Sequence, residues 1–360
     1  MEERYGSIRF LILQERIPME IRKIQVTGGS SYVLSLPKSW AVQQNIQKND
    51  PIGIITQADG SLLVTTDIKG ISSQREKDFF LKDFTDPECL FRCLISAYIT
   101  GFTTIRITSK KRIPPEIRQK VRDYTQMAIG QEVGEETDYS IVLKDILNPT
   151  EMPLENTIKR MYVIVKAMHY DAITALGEGD AALCDDIISR DNDIDRLHWL
   201  ISRQYHLISH NPSLSRRMNI TIGTAMTFLQ ISRIIERIAD HAVTIASNVQ
   251  NLIQMQEGVP LDPDLGQKIR EADEAALGVF RRSIRSFYDQ NIHEANASIG
   301  SVQENTGLYK ALKEDFSRLD SPQSIYYGFI ASSIARIGEY SSDIAEIVIN
   351  HCIGEDERGR

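Results

Sequence analysis

The stretch Ile231–Ala246, ISRIIERIADHAVTIA, contains no glycine or proline and repeats its apolar residues at helical spacing. Ile231, Ile234, Ile235, Ile238, Ala242, Ile245 and Val249 recur at three- and four-residue intervals, the period of a helix that buries one stripe. Glu236 and Asp240 are four apart, so both carboxylates project from one side of that helix, away from the stripe. A weaker copy stands 99 residues further on: IADHAVTIAS at Ile238 and IGEYSSDIAE at Ile337 keep isoleucine, acid and Ile-Ala in register. A chain that builds the same helix twice is directed toward tandem helical bundles.

Each copy closes a triplet of helical segments. In the first, residues 151–256, a helix runs to about Leu176, with Met161, Ile164, Val165, Met168 and Ile173 on its apolar face. Gly177–Asp180 interrupts it, with Asp180 placed to cap the next helix. A second helix spans Ala181 to about His206, and a third runs from Ser213 to about Gln254. The third is long, and its apolar face changes azimuth near Ile231, so it bends or packs its two ends on different neighbours. The second triplet, within residues 262–353, reads as Pro263–Tyr288, Ile292–Arg318 and Pro322–Ile349, with residues 354–360 as a tail. The breaks every few tens of residues argue for bundles over a continuous coiled coil.

The region before these helices is different in kind. Over residues 19–70, short strands are expected at Ile21–Val26, Tyr32–Leu36, Ile52–Thr56 and Ser61–Thr66, with a helical turn or two at Lys38–Gln44. So small a unit has a very small core and usually needs a partner chain to cover its apolar faces. Residues 76–147 read as a small α+β unit: a helix at Pro87–Thr100 ended by Gly101, a strand at Thr103–Thr108, a helix opened by Pro114-Pro115, and strands at Gln131–Thr137 and Tyr139–Leu143. Lys110, Lys111 and Arg112 form a basic triplet there, of the kind most often found in solvated loops. Residues 1–18 read as an extension, disordered or ahead of the natural start, because Met19 begins a better-patterned segment.

Charge is uneven along the chain. Of a net −8, residues 1–82 contribute +2 and the remainder −10, so any nucleic-acid contact belongs near the N-terminus. Four cysteines in 360 residues make no disulfide framework and suggest a cytoplasmic setting; Cys89 and Cys93 fall within an apolar helix pattern and read as packing. No apolar run approaches the ~18 residues of a membrane span, so no membrane insertion is expected.

Two resemblances sharpen this picture. RKIQVTGGSSYVLSLPKSWAVQQNIQKNDPIGIITQADGSLLV resembles a SpoVT/AbrB-type swapped-hairpin domain, through its basic first strand, Leu36-Pro37-Lys38 before the short helix, and Asn49-Asp50 at the turn into the third strand. Asn49 departs from the Gly-Asp common at that turn. The resemblance implies an interleaved homodimer that binds DNA, with Arg22, Lys23 and Lys38 at the matching positions and phosphate neutralisation as their role. ALGEGDAALCDDIISRDNDIDRL, LQISRIIERIADHAVTIA and the weaker ARIGEYSSDIAE resemble the PhoU family. A swapped hairpin ahead of PhoU repeats resembles the archaeal phosphate-uptake-regulator arrangement.

The PhoU resemblance implies a phosphate-signalling regulator that acts with phosphate transporters and sensor kinases, with no catalytic residues and no organic cofactor. Its paired carboxylates map onto Asp191 and Asp195 on one helix and Glu236 and Asp240 on the next, a donor set suited to Mg, Mn, Fe or Zn. In the second copy Ala335 stands where Glu236 stands and Glu339 replaces Asp240, leaving a weak second site with Glu304. A plainer reading stays open: Arg233 and Arg237 precede Glu236 and Asp240 by three, so i,i+3 ion pairs would make the acids ordinary solvated surface. The expectation is therefore a mainly α protein: two tandem three-helix PhoU-like bundles behind a β-rich swapped hairpin and an α+β linker unit. Its function would be regulation of phosphate uptake, coupling DNA binding to metal-binding repeats. The alternatives are direct action on a transporter ATPase or sensor kinase and, remotely, a carboxylate-bridged metal enzyme.

Overall fold

The computed structural model describes residues 20–29, 31–56, 60–66, 75–255, 262–317 and 323–356. The expectation for residues 1–18 lies outside them, as do Ala58 and Asp59 between the expected strands Ile52–Thr56 and Ser61–Thr66. The chain forms two compact units, residues 1–71 and 72–360.

The first unit contains two antiparallel hairpins. β1 (Gln25–Thr27) pairs with β2 (Ser31–Val33), and β3 (Gly53–Thr56) pairs with β4 (Leu62–Thr65), with α1 (Lys38–Gln43) between them. Gly28 and Gly29 turn the first hairpin with positive φ, which costs a glycine nothing. Asn49 also has positive φ, 75°. Asparagine tolerates this left-handed conformation better than other non-glycine residues, so it serves where the resemblance leads one to expect glycine. Asp50 then accepts from the Gln47 N–H at 2.6 Å and fixes the turn. Among the described residues of this unit only Ile55 is buried. Ile21 is 88% exposed and Tyr32 79%, with Ile24, Val26, Leu34 and Ile54 also open.

The second unit begins with a four-stranded sheet in the order β5-β6-β8-β7. β5 (Glu76–Phe80) runs parallel to β6 (Thr104–Thr108), and β8 (Ser140–Asp145) is antiparallel to both β6 and β7 (Gln131–Glu136). α2 (Pro87–Ile99) connects the parallel pair, and α3 (Pro115–Met127) joins β6 to β7. β5 is an addition to the sequence reading; EKDFF carries three charges, which suits an edge strand and hides the strand pattern. Leu90, Leu94, Tyr98, Ile105, Ile107 and Tyr124 fill a core of its own. Cys89 and Cys93 are half-buried thiols.

The helical part follows as α4 (Leu154–Glu178), α5 (Ala181–His210), α6 (Pro212–Met218), α7 (Ile222–Met255), α8 (Pro263–Tyr288), α9 (Ile292–Ser317) and α10 (Gln323–Asp356). Asp180 caps α5 as expected, its Oδ1 accepting from the Leu183 N–H at 3.0 Å after Gly179 at φ 69°. The long third helix of the first triplet is in fact two. Asn219 takes φ 53°, and Thr221 Oγ1 accepts from the Thr224 N–H at 3.0 Å to start α7 afresh. The break puts Met218 on a separate helix, but the change of apolar azimuth near Ile231 falls within the continuous α7, which packs on α5, α4 and α10. At the other end α10 continues to Asp356, so the first three residues of the expected tail are helix.

The two triplets share one continuous core, with α7 against α10 and α4 against α8. Equivalent residues meet along this seam: the rings of His241 and Tyr340, 99 positions apart, lie 5.6 Å centre to centre. Among the described residues no helix is long and apolar enough to cross a membrane.

Candidate metal centre

α5 and α7 pack along their length and bring Asp191, Asp195, Glu236 and Asp240 into one acidic patch. Each helix presents its two acids at i,i+4, on the edge of its buried stripe. Asp191, Asp195 and Glu236 are half-buried; Asp240 is the most open. All four carboxyls are pushed up. Burial, then the charges of Asp191, Glu236 and Asp240, raise Asp195 to about 7. Burial and then Asp240 raise Asp191 and Glu236, and burial raises Asp240 against the pull of His241, Arg233 and Arg237.

The plainer reading of these acids required ion pairs to Arg233 and Arg237. Among the described residues no ion pair reaches any of the four carboxylates, and Arg237 lies instead over the Tyr340 ring at 5.8 Å. The cations nearby on α5 are engaged elsewhere. Arg190 bridges Asp171 at 2.6 Å and Asp186 at 2.8 Å, and Arg196 pairs with Asp193 at 3.5 Å, so neither Asp186 nor Asp193 joins the patch as a free acid. Asp191 Oδ1 is buried with no hydrogen-bond partner. Hard oxygen donors with an orphaned buried atom and no direct ion pair among the described residues fit a hard or borderline cation. The side chains as placed do not themselves close a shell: among the described residues no group of three or more His, Cys, Asp or Glu does. His241 is a packing residue, half-buried against Tyr340.

The second copy is arranged otherwise. Glu339 is exposed and paired with Arg336 at 2.6 Å, the i,i+3 arrangement absent from the first copy. Glu304 lies exposed on α9. Ala335 packs toward the core where Glu236 carries its acid, and Gly338 replaces Ala239. A Cβ at Gly338 would stand 3.2 Å from the Tyr309 hydroxyl, so the glycine lets α9 approach α10.

The other predicted residues belong to the first unit. Arg22, Lys23 and Lys38 are exposed, Lys38 as the first residue of α1. Arg22 pairs with Glu20.

Two buried polar pairs escaped the sequence reading. Arg203 on α5 pairs with Asp145 at the end of β8 and lies over the Tyr98 ring at 4.8 Å, tying the α+β unit to the helix that carries Asp191 and Asp195. His169 Nε2 meets the Ile238 carbonyl at 2.9 Å, and its Nδ1 faces Asp273 at 3.8 Å. Burial pushes His169 down to about 4, and burial, then Glu274, pushes Asp273 up to about 8, so both stay neutral near neutral pH.

The PhoU domain family matches residues 158–249, which run from α4 through α7 and include all four acids. The family described as antidote-toxin recognition MazE, bacterial antitoxin, matches residues 25–71. The helical part thus carries a PhoU domain over α4–α7, and the hairpin unit ahead of it is similar to the MazE family.

A phosphate-specific transport system accessory protein PhoU homolog of Zymomonas mobilis is 28% identical over 49% of this chain and 73% of its own length. One of the same description from Caulobacter vibrioides is 23% identical over 55% of this chain and 86% of its length. The crystal structure of PhoU from Pseudomonas aeruginosa covers 56% of this chain and 96% of its own, at 19% identity and a TM-score of 0.49.

Proposed function

We propose that this chain is a homodimeric regulator of phosphate uptake whose first helical repeat binds a metal ion through Asp191, Asp195, Glu236 and Asp240. The observation that carries the proposal is the four-carboxylate patch, which among the described residues makes no ion pair and lies inside the PhoU-matching residues. Relatives named as accessory proteins of phosphate-specific transport support the role. A Mg, Mn, Fe or Zn ion would neutralise the patch, and its loss or gain would change how α5 and α7 present their outer faces. The apolar residues left open on the two hairpins support homodimerisation, since a partner chain would cover them.

The hairpin unit would place Arg22, Lys23 and Lys38 against promoter DNA, two copies of each per dimer. Deleting the gene and following phosphate uptake and transporter transcripts, with and without phosphate, tests the regulatory role. Unchanged uptake and transcripts would refute it. Polarisation binding to promoter DNA, with Arg22→Ala/Lys23→Ala beside the native chain, tests the DNA contact.

A second reading keeps the regulator and moves its target to a phosphate-transporter ATPase or sensor kinase. The Arg22–Glu20 pair favours it, because that contact takes up part of a small basic surface. Co-purification from phosphate-replete cells separates the two: recovery of the ATPase or kinase without promoter DNA supports the second reading. Metal-dependent turnover of phosphate esters, or oxygen consumption, would instead mark a carboxylate-bridged enzyme.

A further inference from the structure

The α+β unit carries a groove that neither the hairpin nor the helical repeats account for. It encloses about 710 Å³, within the ~300–1,000 Å³ of small-molecule sites. Phe80 and Thr108, the last residues of the parallel strands β5 and β6, pair with each other in the sheet and both line it. Parallel strands in open α/β sheets place ligands outside their carboxyl ends.

The lining divides into two kinds. Phe80, Leu81 and Pro114 supply apolar surface, and Phe80 is half-exposed although it ends a strand of a well-packed sheet. Lys82, Lys110 and Lys111 supply positive charge. Arg112 is held by Asp138 at 3.3 Å, but among the described residues no acid pairs with Lys110 or Lys111. Lys111 N–H donates to Ser109 Oγ at 3.2 Å, which fixes the backbone of the basic loop. That loop leads directly into α3, whose N-terminal end adds positive potential. At the floor, the Thr108 hydroxyl is buried with no hydrogen-bond partner.

An apolar or aromatic body beside two lysines that make no ion pair among the described residues, ahead of a helix N-terminus, matches one ligand chemistry: an aromatic ring carrying a phosphate. We infer that this groove is a nucleotide-binding site. Lys110 and Lys111 hold the phosphate, and the base lies against Phe80 and Pro114. The basic triplet is then a phosphate clamp rather than a solvated loop. Arg203 gives the site a physical connection to the helical repeats, because it joins β8 to α5.

Isothermal titration of the full chain in chelator, with AMP, adenosine and inorganic phosphate as separate probes, tests this. AMP should bind once per chain, with adenosine and phosphate each at least ~10-fold weaker. Lys110→Ala/Lys111→Ala should weaken AMP at least ~10-fold, and raised salt should weaken it in the native chain. Phe80→Ala should weaken AMP and adenosine several-fold and leave phosphate unchanged. Glu236→Ala/Asp240→Ala should leave AMP binding intact, which separates this site from the carboxylate patch. No saturable AMP binding at millimolar concentration, or AMP binding that ignores the lysine pair, overturns the inference. So does a lysine variant that loses duplex DNA binding while AMP fails to bind the native chain, which would assign the triplet to nucleic acid.

Discussion

Ile238, Ile245, Ala246 and Val249 in the first repeat are fully buried, and so are Ile337, Ile344, Ala345 and Val348, each 99 positions later. The outer faces differ. Among the described residues Glu236 and Asp240 make no ion pair beside Asp191 and Asp195, whereas Glu339 is paired with Arg336 and its would-be companion is Ala335. The same apolar framework thus supports a charge cluster in one copy and plain surface in the other. Packing fixes the bundle, and the acids are an addition that the bundle does not need. The framework and the acids should therefore respond independently to substitution.

The largest effect tests the framework. Ile238→Ala and Ile337→Ala should each destabilise by about 2–5 kcal/mol in chemical denaturation, because each empties a fully buried site in one shared core. A loss confined to one of them would mean that the repeats do not share their framework.

A second test uses pH. The folded chain keeps a proton on Asp273 up to about 8, where an unfolded aspartate has long lost it. Stability should therefore fall as pH rises toward 8. Asp195, pushed up to about 7, adds to this fall. His169, pushed down to about 4, works in the opposite direction and offsets it only below its ordinary 6.5. Between pH 6.5 and 8 the native chain should lose on the order of 1 kcal/mol per unit in urea midpoints, and Asp273→Asn should flatten that slope. A native chain with equal stability at both ends of the interval would show that Asp273 ionises normally.

The smallest effect is on the second repeat's surface. Arg336→Ala removes an exposed i,i+3 pair and should change stability by about 0.5 kcal/mol or less. A larger loss would mean that Glu339 belongs to a coupled network, and that the two outer faces are more alike than they look.

Much of this was legible in the sequence because helices announce themselves through periodicity, glycine and capping acids. Gly179 and Asp180 marked a real boundary, and the 99-residue register picked out equivalent core positions. The break at Asn219 was hidden because Met218–Ile222 contains neither glycine nor proline, and asparagine is a quieter left-handed residue. β5 was hidden because an edge strand tolerates charges that erase its alternation.

The four acids were legible as two i,i+4 pairs, but their half-burial was not. Each pair sits at the edge of its own helix's stripe, and the packing of α5 on α7 takes it partly out of water. Arg203 was invisible for a related reason: an arginine on a helix reads as solvated until its partners, Asp145 and the Tyr98 ring, arrive from distant strands and helices.

The difference between the two outer faces is tested most directly by metal content. The native chain, Glu236→Gln/Asp240→Asn and Glu339→Gln should be loaded with manganese, dialysed and analysed by plasma mass spectrometry. The native chain and Glu339→Gln should retain the metal equally, and the double variant should lose it. Equal metal in all three, or loss on Glu339→Gln alone, would contradict the assignment of the site to the first repeat.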